Sequence, residues 1–176
     1  MRLLLISGST RSGSTNTAVL RSVQQCGAVE SELYTELAAL PAFDPDEDRD
    51  PLPEAVDRLR RAVAAADAIL FCTPEYAGAL PGSFKNLLDW LVGDVVLTDK
   101  PVAWINVSSV AAPTGGAGAH SELRTVLGYV QARVVESACL RVPLARTDVV
   151  DGEVESEALR AEFVAAVREL TSALES

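Results

Sequence analysis

A run of small and polar residues from Ser7 to Asn16 is the first part of the sequence that could bind a ligand. It contains serine and threonine hydroxyls, one amide and one guanidinium, and it contains no large apolar side chain. It follows an apolar run and precedes a predicted helix, whose unpaired first amides and dipole attract anions. The side chains that could donate to a phosphate are Ser9, Arg11, Ser14, Thr15 and Asn16.

The same polar residues have a simpler use, because one of Ser14, Thr15 or Asn16 is expected to cap the helix. Capping needs a single residue, so a ligand loop remains the favoured interpretation of the whole run. Two known phosphate loops do not match. The Walker loop ends in Gly-Lys-Ser/Thr, and the dinucleotide fingerprint needs a third glycine after Gly8 and Gly13. The run also has no cysteine that could act as a phosphatase nucleophile.

A second specialised loop begins at Pro74 and leads into a helix predicted over Ser83 to Val92. Two prolines fix φ in this loop, and two glycines let its backbone turn tightly. The loop also presents one aromatic ring, Tyr76, which could contact a flat ligand or could be an ordinary loop aromatic. Because ligands bind at the carboxyl ends of strands in open α/β sheets, we expect the two loops to form one site.

Alternating strands and helices must position these loops. The five strand candidates are Leu3 to Ile6, Val29 to Leu37, Ala68 to Cys72, Val102 to Val107 and Val134 to Leu140. Apolar residues at helical spacing lie between and after them: Val19, Val23 and Cys26; Val56, Leu59, Val63 and Ala66; Phe84, Leu87, Leu88 and Leu91; Leu123, Val126, Leu127 and Val130; Leu159, Phe163, Val167 and Leu170. This pattern predicts a single α/β domain over residues 1–176. Its five-stranded, doubly wound parallel sheet should have the flavodoxin-like order 2-1-3-4-5.

Composition narrows the class of partner. The chain has 176 residues, 48% of them hydrophobic, and a net charge of −10, which argues against a nucleic-acid partner. No apolar run is long enough to cross a bilayer, so we expect no membrane association and a cytoplasmic protein. The three cysteines lack metal-ligand spacing and are interpreted as buried thiols. The acidic cluster from Asp44 to Asp50 is interpreted as a solvated loop, so no metal site is expected.

Taken together, the two loops resemble the NAD(P)H-dependent FMN reductase family, which includes quinone, chromate and azo-dye reductases on a flavodoxin-like fold. The resemblance runs nearly end to end and depends on four segments: Gly8 to Asn16, Pro74 to Trp90, Gly115-Gly116 and Leu123-Arg124. It implies an enzyme in which FMN accepts hydride from NADPH or NADH. Two electrons then pass to a quinone, a free flavin, an azo compound or a metal oxyanion. It also implies a homodimer, with a homotetramer as the larger alternative.

The resemblance assigns residues to the cofactor and none to protein-borne catalysis. Ser9, Arg11, Ser14, Thr15 and Asn16 would hold the FMN phosphate; Pro74, Glu75, Tyr76, Ala77 and Gly78 would line the isoalloxazine; Ser108, Ser109, Gly115 and Gly116 would close its other side. The only histidine, His120, is expected at a helix start or on the surface, because hydride transfer to flavin needs no protein base at its first step. Trp90 fits either core packing or a subunit interface.

Two departures from the family pattern affect the expectations. The family commonly has asparagine where this chain has Ala77, so a polar contact to the ring or substrate is expected to be lost. It also often has an arginine near Ala119 or His120, whose absence leaves the choice between NADPH and NADH open. Two other functions stay possible: a flavodoxin-like electron carrier, whose acidity would guide docking, and a flavin-binding regulator with little turnover.

Overall fold

The structure is a computed structural model that describes residues 1–109 and 112–174. Its principal strands are β1 (Arg2–Ser7), β2 (Glu30–Tyr34), β3 (Ala68–Thr73), β4 (Pro101–Ser108), β5 (Arg133–Val134) and β6 (Leu140–Pro143). They form one parallel sheet in the order β2-β1-β3-β4-β5, and β6 also pairs with β4. In the register, Leu5 of β1 lies between Leu33 of β2 and Leu70 of β3. The predicted flavodoxin-like order is therefore confirmed.

Five α-helices cover the two faces of this sheet. They are α1 (Thr15–Gln25), α2 (Glu54–Ala65), α3 (Gly82–Val92), α4 (Ala117–Tyr129) and α5 (Glu157–Ser172). A short antiparallel pair, β7 (Val149–Val150) and β8 (Glu153–Val154), precedes α5. Side chains of a strand point alternately to its two faces, so the sheet divides the core in two. Leu4 and Ile6 pack with residues of α2, α3 and α4, whereas Leu3 and Leu5 pack with residues of α1 and α5.

The fifth predicted strand, Val134 to Leu140, is wrong as a single element. The chain instead makes β5, a 3-10 turn over Glu136–Ala138, and then β6. Both strands pair with β4, β5 opposite Pro101 and β6 opposite Ile105. The polar Glu136 and Ser137 interrupt the apolar pattern and turn outward, where Glu136 pairs with Arg124. As a result the sheet has six strands, and its last strand ends at Pro143.

The second predicted strand is correct in place but too long. The structure ends β2 at Tyr34, and Leu37 lies in a 3-10 turn over Leu37–Ala39. Leu37 is nevertheless buried, so its apolar signal came from packing against the core rather than from strand pairing.

Trp90 lies in the core, the first of the two places that the sequence allowed for it. Its side chain is fully buried, and its indole N–H donates to the carbonyl oxygen of Pro41 over 2.9 Å. The ring of Phe43 packs against it edge-on, with the centroids 5.0 Å apart. A buried indole with a satisfied donor explains this tryptophan completely as a packing residue.

Two other predictions about polar and sulfur-containing side chains need correction. Cys72 is buried and Cys139 half-buried, but Cys26 is exposed at the end of α1, where the helix terminates. Within the acidic cluster, Asp48 is not a solvated residue, because it pairs with Arg60 over 2.6 Å in a mostly buried contact. The described residues contain no helix that is long and apolar enough to span a bilayer.

Candidate functional site

The loop between β1 and α1 is held in place by its own hydroxyl groups. Ser14 caps α1 by accepting a hydrogen bond from the amide of Thr17 over 3.5 Å, which confirms one of the three expected capping residues. Thr17 in turn donates through its hydroxyl to Ser7 over 3.0 Å. The amide of Ser9 donates to the same Ser7 oxygen, and the amide of Arg11 donates to Ser9. These bonds link the start of the loop to its end and to the first turn of α1.

Gly8 allows this loop to lie directly against the end of β3. Its amide donates to the carbonyl of Cys72 over 2.8 Å. A Cβ at this position would lie 2.5 Å from the Thr73 hydroxyl oxygen, which is closer than Cβ atoms approach their neighbours in proteins. Asn16, on the first turn of α1, is buried and accepts from the Cys72 thiol over 3.5 Å. The first turn of α1 carries no acidic residue, so its positive end is not neutralised.

The second loop is a miniature β-hairpin. Tyr76 and Ala79 exchange two backbone hydrogen bonds, each of 3.0 Å. The two residues between them have positive φ angles, 52° at Ala77 and 78° at Gly78. Two consecutive left-handed residues define a type I′ turn, whose preferred sequence is Asn-Gly. The family's asparagine at position 77 thus has a backbone explanation that needs no contact with a ligand. Tyr76 stands out from the hairpin with 55% of its surface exposed.

Glu75 fastens this hairpin to the start of α4. One carboxylate oxygen accepts from the hydroxyl of Thr114, and the other accepts from the amide of Ala119 over 3.0 Å. The hydrogen bond from Thr114 and those from backbone amides hold the pKa of Glu75 below its ordinary value of 4.5. A negative charge at a helix N-terminus is also favourable. Glu75 was expected to line the flavin ring, and the structure shows that its carboxylate joins two walls of the site.

Two further contacts bring the hairpin and α4 together. A Cβ at Gly118 would lie 1.9 Å from the carbonyl oxygen of Gly78, so only glycine permits this approach. Glu122 accepts from the amide of Leu80 over 2.6 Å. The hairpin is consequently held against α4 at both of its ends.

The two loops and the end of β4 enclose a cleft of about 700 Å³, well within the range of small-molecule sites. Twelve of the fourteen predicted site residues line it: Ser9, Arg11, Ser14, Thr15, Asn16, Pro74, Glu75, Tyr76, Ala77, Gly78, Ser108 and Ser109. Gly115 and Gly116 are not among its lining residues. Both have positive φ angles, and Gly116 precedes α4 as its N-cap, so they serve the turn into that helix.

Seven lining residues were not predicted from the sequence: Val107, Ala112, Pro113, Thr114, Leu144, Ala145 and Arg146. The last three follow β6, whose carboxyl end lies beside that of β4. Ligands bind beyond the carboxyl ends of strands, so a strand predicted to end at Pro143 would have indicated these three residues. Arg146 matters most among these residues, because it adds a second guanidinium to the Arg11 end of the cleft.

His120 lies in the first turn of α4, as expected, and it does not line the cleft. Its Nδ1 accepts from the indole N–H of Trp104 over 2.9 Å. Burial lowers the pKa of His120 below its ordinary value of 6.5, and the nearby Arg124 and Arg141 lower it further. The neutral ring therefore serves to satisfy a buried tryptophan.

The donor set of the cleft fits a phosphorylated planar cofactor. Hydroxyls, a helix N-terminus and two guanidiniums lie together at one end, where no lining residue is acidic. Tyr76 and the hairpin backbone lie at the other end, and the acidic Glu75 there is engaged by Thr114 and Ala119. FMN carries a phosphate and a flat ring in the same arrangement, so the residues present match what it requires.

Comparison with known proteins agrees with this geometry. A family model described as NADPH-dependent FMN reductase matches residues 1–147. An NAD(P)H-dependent FMN reductase of Pseudomonas aeruginosa is 37% identical over 135 residues, which are 74% of this chain and 71% of that protein. A quinone reductase of Escherichia coli is 32% identical over 140 residues, 77% of this chain and 73% of that protein.

Among solved structures, the flavoenzyme FerB, an NAD(P)H:acceptor oxidoreductase from Paracoccus denitrificans, superposes with a TM-score of 0.85. It is 27% identical, and the match covers 99% of this chain and 97% of that one. The chain therefore belongs to the NADPH-dependent FMN reductase family, and it is a flavin-dependent oxidoreductase that takes its electrons from a reduced nicotinamide nucleotide.

Proposed function

We propose that this chain binds FMN in the 700 Å³ cleft and reduces quinones with NAD(P)H. The observation that carries the proposal is the junction of an ordered anion loop and a rigid hairpin at one sheet edge. Bound FMN supplies the hydride acceptance and the transfer of two electrons. The choice of a quinone is supported by the Escherichia coli relative, which is named a quinone reductase.

The residues of the cleft would divide the work of binding. Ser9, Arg11 and the first turn of α1 would hold the phosphate, because their hydroxyls, guanidinium and amides all donate. The backbone of Pro74 to Gly78 would support the ring, held in place by Glu75. Tyr76 is more than half exposed and would give donor and acceptor an aromatic surface at the open side.

Rapid mixing of the FMN-loaded protein with NADPH or NADH, without oxygen, tests the reaction. We expect flavin absorbance near the visible maximum to disappear directly, and to return when a benzoquinone is added. An electron carrier would keep its absorbance in the presence of NAD(P)H alone. That outcome would overturn the proposal in favour of a flavodoxin-like carrier.

Substitution of Arg11 by alanine tests the phosphate end separately. The exposed Arg11 forms no ion pair within the described residues, so removing it should leave the fold intact. We expect the dissociation constant of FMN to rise about tenfold, the effect of one charge-assisted hydrogen bond. Riboflavin lacks the phosphate and should bind the variant and the parent equally. Equal FMN affinity in both proteins would remove Arg11 from the phosphate site.

We also propose that the chain forms a homodimer. Large apolar side chains near the ends of α3 and α4 are unusually exposed, with 79% of the surface of both Val95 and Tyr129 accessible. Such side chains are candidates for burial between subunits. Light scattering after size-exclusion chromatography should give a molar mass twice the chain mass of 18.6 kDa. Tyr129→Lys should lower the measured mass to that of one chain.

A cytoplasmic location is proposed from the sulfur chemistry. Cys26, Cys72 and Cys139 are all free thiols, and proteins of reducing compartments keep their thiols in this state. Recovery of the protein in the periplasmic fraction of a cell would contradict this location.

A further inference from the structure

A second cleft, of about 650 Å³, lies on the other side of the loop that precedes α1. Three arginines line it: Arg11 from that loop, Arg21 from α1 and Arg146 from the segment after β6. Its remaining walls include Ala18 and Val149, which offer apolar contact. The cleft adjoins the proposed flavin site and has the volume of a small-molecule pocket.

Positive charge in this cleft is not neutralised. None of the residues that line it is acidic, although the chain as a whole has a net charge of −10. Across residues 1–109 and 112–174, no ion pair engages any of the three arginines, whereas Arg58, Arg60 and others pair with carboxylates. Three unpaired guanidiniums around one cavity attract an anion and match the geometry of phosphate.

The second cleft is continuous with the flavin cleft around the phosphate loop. Arg11, Ser14, Thr15 and Arg146 line both of them. A phosphate held at the first turn of α1 would therefore face the flavin cleft on one side and Arg21 on the other. A phosphorylated group extending from the cofactor, or lying beside it, would enter the second cleft.

We propose that this second cleft is a subsite for the phosphate of an adenosine nucleotide, with Arg21 and Arg146 as its ligands. Two molecules relevant to a flavin reductase carry this chemistry: NADPH, with its 2′-phosphoadenosine, and FAD, with its adenylate. The proposal deepens the proposed function and rests on it, because it places the FMN phosphate at the shared loop. It also provides the cationic partner that the sequence lacks near Ala119 and His120.

Titration of the FMN-loaded protein by calorimetry tests the subsite directly. The probes are adenosine 2′,5′-bisphosphate and adenosine, which differ only in phosphate. We expect the bisphosphate to bind and adenosine to give no measurable heat. Arg21→Gln should raise the dissociation constant of the bisphosphate about tenfold, because one charge-assisted contact is lost.

The matched control is Arg168→Gln, which removes the same charge from an exposed arginine on α5. It should bind the bisphosphate as the parent does. Equal affinities in the two variants, or no binding by the parent, would overturn the subsite.

Two comparisons identify the source of the phosphate. If it is NADPH, the ratio of KM for NADH to KM for NADPH should exceed one in the parent and fall about tenfold in Arg21→Gln. If it is FAD, the apoprotein should bind FAD more tightly than FMN, and Arg21→Gln should abolish the difference. A variant that keeps both ratios of the parent would refute the assignment to a nucleotide.

Two measurements on the parent protein distinguish failure of the subsite from failure of the proposed function. Loss of FMN binding or of NADH oxidation in the parent would refute the proposed function itself. If both persist while the bisphosphate fails to bind, only the subsite is refuted.

Discussion

The turn at Ala77 gives the most specific prediction. Ala77 has a φ of 52° in the hairpin that supports the cleft, a backbone conformation that costs an L-residue about 1–2 kcal/mol. Asparagine and glycine adopt it much more readily, and the following residue, Gly78, already suits the turn. We therefore expect Ala77→Asn to stabilise the protein, because it relieves strain without any new contact.

The size of the effect follows from two opposing terms. Relief of the left-handed strain gains about 1–2 kcal/mol for glycine, and the greater freedom of the unfolded chain takes back about 0.4–1 kcal/mol. The midpoints of the two ranges leave a net gain of about 0.8 kcal/mol for Ala77→Gly, and we expect Ala77→Asn to stabilise by a similar amount, about 0.5–1 kcal/mol. In a chain of 176 residues this corresponds to a rise in Tm of about 1–4 °C.

Thermal unfolding of the apoprotein, followed by circular dichroism, measures this shift. Ala77→Val should lower Tm, because a β-branched residue resists positive φ. The control is Ala79→Asn, at a neighbouring hairpin position outside the positive-φ residues. If asparagine changes Tm equally at positions 77 and 79, or lowers it at 77, the backbone explanation is refuted. A more ordered hairpin should also bind FMN slightly better, by up to about fivefold if all of the gain appears in binding.

Three other predictions concern Glu75, His120 and Tyr34. Glu75→Gln leaves one acceptor oxygen for two donors, so FMN binding should weaken about threefold to tenfold in a fluorescence titration. A double-mutant cycle with Thr114→Val should show coupling between the two positions, and additive effects would contradict the contact. Because the pKa of Glu75 is lowered in the folded chain, its stabilisation is complete above pH 4.5 and decreases below it. The pKa of His120 is also lowered in the folded chain, so the unfolded chain takes up the proton first and the free energy of unfolding should fall as pH decreases below 6.5. In urea unfolding, the free energies at pH 5.5 and pH 7.5 should differ less in His120→Gln than in the parent, and an equal difference would refute this. The buried hydroxyl of Tyr34 has no partner among the described residues, so Tyr34→Phe should raise the free energy of unfolding by up to about 1 kcal/mol at pH 7. Burial raises the pKa of Tyr34 to about 12, so the same variant should lose less stability than the parent between pH 10 and 12. Lower stability of the variant in urea unfolding at pH 7 would contradict the absence of a partner.

Most of the fold was predictable because its signals are local. The apolar runs of β1, β3 and β4 are buried on both faces, as their composition indicated. The sequence left Trp90 open between the core and a subunit interface, because helical spacing does not show that Pro41 and Phe43 lie over that side of α3. The break between β5 and β6 was missed for a related reason. Both pair with β4, and such non-local pairing leaves no periodic mark in the sequence.

The candidate site was predictable where one segment supplies consecutive residues. Five side chains of the first loop and all of Pro74 to Gly78 line the cleft, because each segment follows a strand that the sequence located correctly. The wall from Leu144 to Arg146 was missed together with the end of β6. Glu75 lines the cleft as expected, but its bonds to Thr114 and Ala119 were not foreseen. A carboxylate's partner depends on which helix start lies opposite it, and only the folded chain shows this.

The walls of the proposed flavin cleft come from positions as far apart as Ser9 and Arg146. Most of the chain must therefore leave the ribosome before the complete cleft can form, so flavin capture has to follow synthesis of the domain. Once captured, a ligand present at 100 times its dissociation constant adds about 2.7 kcal/mol to the stability of the whole fold. The supply of flavin in a cell would then set how long each copy of this protein survives proteolysis, in addition to how fast it turns over.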